Sequence, residues 1–338
     1  MSFMFSKHTL PRIAAAAALA FACASPVAAQ TFTAKFGTAT INEDQHEWIK
    51  RFKDRIEKRS DGKIKVEIYP ANQLGAIPRQ IEGMQLGTVE GWVGPPGFLV
   101  GLDQRFQVFD APGIFEDRAH AFRTMTDPAM RGKLLGLGEA KGLKGVSMYV
   151  SSENAYVFRK PVRTLEDFKG LKVRVLATKI ERRVMEEFGA TPTPMDLGEV
   201  LSALQQGTID GAKSAISIFV PFKYQNVAKY LTATHEAYIP TVAMMSKAFF
   251  ERLPANLQTA VLEEGKALDS EIQDFSVKLK DGLYKVWEDN GGEIIRLSPA
   301  ESAEMKRRVA NVGAEIAKEN PSVKAFYDEM LKVAERVK

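Results

Sequence analysis

Met84-Gln85-Leu86-Gly87-Thr88-Val89-Glu90-Gly91 lies in register with Leu204-Gln205-Gln206-Gly207-Thr208-Ile209-Asp210-Gly211. Gln, the first Gly, Thr and the second Gly are identical, and the Met/Leu, Val/Ile and Glu/Asp pairs keep their chemistry. Each stretch reads as a helix end, a glycine stop and the start of a strand. The likeness points to two α/β lobes built alike, with a ligand cleft where the carboxyl ends of their strands meet. A chance likeness between two helix–glycine–strand units is the alternative.

The flanking sequence fits both units. Phe32 to Thr38 alternates as a strand, and Trp48, Phe52 and Ile56 recur at helical spacing. Asp61-Gly62 is a turn before the strictly alternating strand Lys63 to Ile68. Pro78 to Leu86 reads as a short helix and Thr88 to Val93 as the next strand. Strands alternating with helices imply parallel pairing. The order recurs: Leu171 to Leu176 is a strand, Ile180 to Phe188 a helix stopped by Gly189, and Gly198 to Gln206 a helix stopped by Gly207. A further strand begins at Thr208-Ile209-Asp210, and Thr164 with Asp167 resembles an N-cap pair. From Leu253-Pro254 onward the chain is mostly amphipathic helix, broken at Asn290-Gly291-Gly292 and restarted at Pro299 and Pro321.

Residues 1–29 differ from the rest. Lys7 and Arg12 precede an apolar run from Ile13 to Ala22, and Val27-Ala28-Ala29 follows as a cleavage site. This is the pattern of a secretory signal peptide, and the run is half of what a membrane span needs. Cleavage after Ala29 shortens the chain of 338 residues to 309 and, by removing Lys7 and Arg12, lowers the net charge from +4 to +2. Cys23, the only cysteine, leaves with the segment, so the mature chain forms no internal disulfide. A hydrophobic content of 45% supports a large core. The mild charge does not suggest a nucleic-acid partner.

No catalytic motif is present. The chain has no G-x-S-x-G and no P-loop, Gly136-Leu137-Gly138 lacks the third glycine of a dinucleotide fingerprint, and His46-Glu47 lacks the second histidine of a zinc helix. His46, His120 and His235 stand far apart, and carboxylate pairs such as Glu186-Glu187 read as solvated faces. No cofactor or metal is expected, and the chain is not expected to be an enzyme. Arg174 stands out because it sits mid-strand between Val173 and Val175 and points to the face opposite them. A guanidinium in such a place needs an anion, either an internal Asp or Glu or a ligand carboxylate gripped by its planar fork.

Three stretches resemble the substrate-binding proteins of TRAP transporters, of the DctP type. They are Gly170-Leu171-Lys172-Val173-Arg174-Val175, Phe188-Gly189-Ala190-Thr191-Pro192-Thr193-Pro194-Met195, and the run from Glu199 to Gly211. The resemblance continues at Val227 to Thr232, Tyr69-Pro70 with Gln73-Leu74-Gly75, Phe109 to Pro112 and Leu253-Pro254. It implies a two-lobed periplasmic binding protein (type II), each lobe a mixed sheet flanked by helices. Lobe I is expected at 30–151 plus about 240–280, and lobe II at 152–239 plus about 281–338.

The resemblance also implies capture of a small organic acid in the periplasm and its delivery to the small and large membrane subunits of a TRAP transporter. A monomer is expected. Arg174 matches the family's carboxylate-gripping arginine. Ser214 stands where many members have asparagine, and Asn154, beside Glu153, stands where many acid-binding members have a second arginine. Trp92 and Pro95, Leu197 and the Thr38–Thr40 loop, including Thr40, are expected around the ligand body, and Lys213 within reach of a second anionic group. The expected ligand is a monocarboxylate with an apolar or aromatic body, a keto, hydroxy or aromatic acid, with a dicarboxylate as the alternative. A ligand-sensing protein or an enzyme on a similar fold are the rival functions.

Overall fold

The computed structural model describes Met1 and residues 31–338, so the expected signal peptide beyond Met1, with Cys23, lies outside the described residues. The strands are β1 (Phe32–Gly37), β2 (Ile64–Tyr69), β3 (Gly91–Gly94), β4 (Leu143–Phe158), β5 (Lys172–Val175), β6 (Thr191–Pro194), β7 (Gly211–Ser214), β8 (Tyr230–Ser246) and β9 (Glu293–Arg296). They form a sheet in the order β2-β1-β3-β8-β4-β7-β5-β6, with β9 added to β8. β1 pairs in parallel with β2 and β3, and β5 pairs in parallel with β6 and β7. The long antiparallel strands β4 and β8 join these triplets. The molecule is therefore two-lobed, with one lobe built on β1–β3 and the other on β5–β7. The divisions expected at 151/152 and 239/240 fall inside β4 and β8.

Between the lobes the β4–β8 ladder slips. Register shifts separate Val150 from Ser152 and Glu153 from Ala155, and His235 in the second shift has a φ of 53°. Bulges of this kind bend a strand and raise its twist. The sheet is thus bent and twisted where one lobe gives way to the other.

The two similar sequence units fold alike, and for the same chemical reasons. Gly87 and Gly207 each end a helix at positive φ. The next residue turns back on the helix: Thr88 N–H donates to the Gly83 carbonyl at 2.8 Å, and Thr208 N–H to the Ala203 carbonyl at 3.0 Å. This is the six-to-one bond of a Schellman close. The acid two residues on then binds a neighbouring strand. Glu90 accepts the Lys35 N–H at 2.9 Å, and Asp210 accepts the Lys172 N–H at 2.8 Å. These bonds delay the strands, which start at Gly91 and Gly211 rather than at Thr88 and Thr208. A Cβ at either glycine would overlap an aromatic ring, Phe36 or Phe158.

Thr164 and Asp167 cap each other, since the Thr164 N–H donates to Asp167 at 2.9 Å and the Asp167 N–H reaches the Thr164 hydroxyl at 3.4 Å. The helix Ala255–Asp289 runs about 52 Å at 1.5 Å per residue and packs across β4 and the helix Asp44–Arg59. Asp269 on this helix accepts from the Ser147 hydroxyl at 2.6 Å, the Met148 N–H at 2.9 Å and Arg131 at 2.6 Å. One apolar core, from Ile77 through Met148 and Val175 to Met330, continues across both lobes, and each lobe adds a core of its own. Among the described residues no helix is long and apolar enough to cross a membrane.

Candidate functional site

A cavity lies between the lobes. β3 supplies Trp92 and Val93, and the turn after it supplies Pro95 and Phe98. β5 supplies Arg174, and β7 supplies Lys213 and Ser214. Asn154 enters from β4 and Leu197 from the first position of the helix Leu197–Gln206.

Arg174 is 3% exposed. Its Nε donates to the Met195 carbonyl and its Nη1 to the Lys213 carbonyl, both at 3.0 Å. Its Nη2 is buried and has no partner among the described residues. Among the described residues no carboxylate forms an ion pair with it; Glu181, Tyr224 and Asp196 act on it only through their fields. Burial pulls its pKa below the ordinary guanidinium value, and those three groups offset part of the fall. A guanidinium stays charged under such a shift. Phe98 places its ring 6.0 Å from the guanidinium carbon. Two carbonyls therefore hold the fork, and one buried N–H group of this cavity-lining residue is left unpaired.

Lys213 is also in the cavity wall, but its charge is spent. Its Nζ donates to Glu181 Oε1 at 2.8 Å, with both side chains buried. Burial pulls its pKa down, and Glu181, Glu236 and Asp110 outweigh that and leave it raised. Glu181 is itself fixed, since its second oxygen accepts the Leu176 N–H at 2.6 Å. Asn154 Nδ2 donates to Glu236 at 3.4 Å, and Tyr156 donates to the same oxygen at 2.7 Å.

Two of the expected residues stand elsewhere. Glu153 lies on the opposite face of β4 from Asn154, as alternation along a strand requires. It accepts from Lys280 at 2.9 Å in a separate crevice that also holds Arg118 and His235. Thr40 is fully buried, with its hydroxyl bonded to Thr38 at 3.0 Å and to Glu43. Its neighbours Ala39 and Gln45 line the cavity instead.

Glu181, Asp110 and Tyr238 also line the cavity and were not singled out from sequence. A signal for Glu181 exists, because it falls on the buried face of its helix with Ile180, Val184 and Met185. Asp110 lies within the Phe109-to-Pro112 stretch already noted.

Residues 36–320 match the family described as bacterial extracellular solute-binding protein, family 7, or DctP. The chain belongs to this family of TRAP-type solute-binding proteins. Among its relatives is the 2,3-diketo-L-gulonate-binding periplasmic protein YiaO of Escherichia coli, 32% identical over 273 residues, covering 79% of this chain and 82% of the relative. Another is the C4-dicarboxylate-binding periplasmic protein DctP of Rhodobacter capsulatus, 30% identical over 265 residues, covering 76% and 78%. A TRAP periplasmic solute-binding protein of Desulfovibrio salexigens, solved with orotic acid, superposes with a TM-score of 0.86 at 22% identity, covering 91% of this chain and all of the other. The sugar-acid-binding protein DctPAm of Advenella mimigardefordensis, solved with galactonate, gives the same TM-score at 23% identity, covering 91% and 99%. The two structures share the fold of this DctP-family chain. The family and these relatives are solute receptors rather than enzymes.

Proposed function

We propose that the mature chain captures an organic monocarboxylate in the periplasm and delivers it to the membrane subunits of a TRAP transporter. The ligand carboxylate docks on Arg174, with Ser214 and Asn154 beside it, and the lobes close over the ligand body by bending at the β4–β8 register shifts. The observation that carries this reading is the buried, unpartnered Nη2 of Arg174 in the cavity wall. A charged donor left unpaired in a low-dielectric site is costly, and a carboxylate removes the cost with charge-assisted bonds.

An apolar part of the wall supports an apolar body. Trp92, Pro95, Phe98, Leu176, Leu197 and Ile218 surround the space. The second cation, Lys213, is already neutralised by Glu181, which favours one ligand carboxylate over two. We further propose residues 1–29 as the cleaved signal peptide, and lobes divided at 151/152, 239/240 and about 280/281.

A thermal-shift screen of the mature protein against mono-, di- and aromatic carboxylates tests the reading. A ligand that binds only the folded state raises Tm. Monocarboxylates, keto, hydroxy and aromatic acids among them, are expected to shift it most. A panel in which only dicarboxylates do so overturns the preference for one carboxylate.

A further inference from the structure

Three polar groups of cavity-lining residues are buried and without partners among the described residues: Arg174 Nη2, Trp92 Nε1 and Asp110 Oδ2. The carboxylate reading uses only the first. An acid with a purely apolar body leaves the other two unpaired in the closed site, and each unpaired buried group costs about 1–3 kcal/mol.

We infer that Trp92 and Asp110 read an oxygen on the body of the ligand, a hydroxyl or oxo group separate from the carboxylate held by Arg174. The inference rests on the carboxylate reading and narrows it to oxygenated acids. Trp92 is 1% exposed, and its indole N–H can only donate. It therefore calls for an acceptor such as a hydroxyl or carbonyl oxygen.

Asp110 is 5% exposed and ends the turn Gln104–Asp110. Gly97 lets the chain after β3 approach it, since a Cβ there would stand 3.0 Å from Asp110 Oδ2 and 2.7 Å from Leu176. Burial and the Glu181 charge push the Asp110 pKa up to about 8, against the opposing pull of Lys213 and the Thr178 hydroxyl. Glu181 reaches it from the helix Lys179–Glu187 and Lys213 from β7, and Glu236 on β8 acts on Lys213 in turn. Asp110 thus carries a proton near neutral pH and can donate to a ligand oxygen. Above its pKa it becomes a second buried carboxylate beside Glu181, and it then repels an anionic ligand.

The test is titration calorimetry with matched acids: mandelate against phenylacetate, and 3-(4-hydroxyphenyl)propanoate against 3-phenylpropanoate. The wild-type protein is expected to prefer the oxygenated member of at least one pair by about tenfold, the size of one satisfied buried group. Asp110→Leu is expected to collapse that ratio toward one. Asp110→Asn, neutral at every pH, should keep the preference. It should also lose the fall in affinity that the wild type shows as the pH rises through about 8.

A wild-type protein without preference in either pair overturns the subsite. So does an unchanged ratio in Asp110→Leu, or, should that variant not fold, a pH profile shared by wild type and Asp110→Asn. Arg174→Ala separates the two readings, because it should lose both members of each pair. Binding retained in that variant overturns the carboxylate clamp and not the Asp110 subsite.

Discussion

The Asp196 carboxylate accepts the backbone N–H of Ile77 at 2.9 Å, across 119 residues and between the two lobes. Its other oxygen caps its own helix through the Gly198 N–H at 2.7 Å and meets Asn72 Nδ2 at 3.3 Å. Asp196 opens the helix Leu197–Gln206 in one lobe, and Ile77 opens the helix Ile77–Leu86 in the other. The Ile77 helix has no side-chain cap of its own. One carboxylate thus serves two helix N-termini, both positive ends of helix dipoles, and it does so only while the lobes are together.

That double role makes Asp196 a latch. Asp196→Ala removes a charge-assisted bond across the cleft, worth about 1.5–3 kcal/mol, and weakens the capping of one helix. Affinity is expected to fall by roughly ten- to hundredfold, mostly through faster release, because the closed form loses a bond that the encounter does not use. Stopped-flow fluorescence of ligand release measures this. An unchanged release rate, with binding intact, excludes the latch.

Arg174→Ala is expected to abolish carboxylate binding. Removing one partner of a buried pair costs about 3–5 kcal/mol, or two to four decades in affinity. Arg174→Lys should lose at least about tenfold, since an ammonium cannot satisfy the Met195 and Lys213 carbonyls and the ligand with one planar fork. Calorimetry gives the affinities, and circular dichroism confirms that each variant is folded. Undiminished binding in Arg174→Ala removes the clamp.

Glu181 decides whether Lys213 is available. In Glu181→Gln the amide oxygen can still accept the Leu176 N–H, but the negative partner of Lys213 is gone. Lys213 then keeps only the fields of Glu236 and Asp110. The variant is expected to gain affinity for dicarboxylates relative to monocarboxylates by about tenfold, the scale of one charge-assisted bond. Succinate against butyrate, titrated in wild type and variant, reads the change. An unaltered ratio would mean that Lys213 stays out of the ligand's reach.

The sequence made the frame legible because the frame is local. A glycine stop, a turning threonine and an acid two residues on are short-range chemistry, and they produced the same hydrogen bonds at Gly87 and Gly207. Arg174 was legible for a related reason, being a charge where strand alternation demands burial. The remainder of the site was not, because it depends on pairings distant in the chain. Lys213 looks free until Glu181, 32 residues away, is folded against it. Glu153 and Asn154 are neighbours in sequence, and only the pairing of β4 decides which of them faces the cleft. Asp196 reads as an ordinary helix cap, and its second bond exists only in the assembled lobes.

Gly265 sets local propensity against packing. It lies in the interior of the helix Ala255–Asp289, where Gly→Ala ordinarily stabilises by about 1 kcal/mol. Here a Cβ would stand 2.7 Å from the Val146 carbonyl oxygen on β4 and would overlap the Val146 side chain. Backbone cannot swing aside as a long side chain can, so the helix or the strand must shift. Overpacking of this kind costs about 1–3 kcal/mol, which cancels or exceeds the gain in propensity. Gly265→Ala is therefore expected to lower Tm, against the trend for exposed helix positions. Gly282, on the same helix with open space around its Cα, supplies the control. Gly282→Ala should raise Tm or leave it unchanged, and both variants should bind the ligand with wild-type affinity once folded. A Tm for Gly265→Ala equal to that of Gly282→Ala would mean that the helix does not press on β4 at this point.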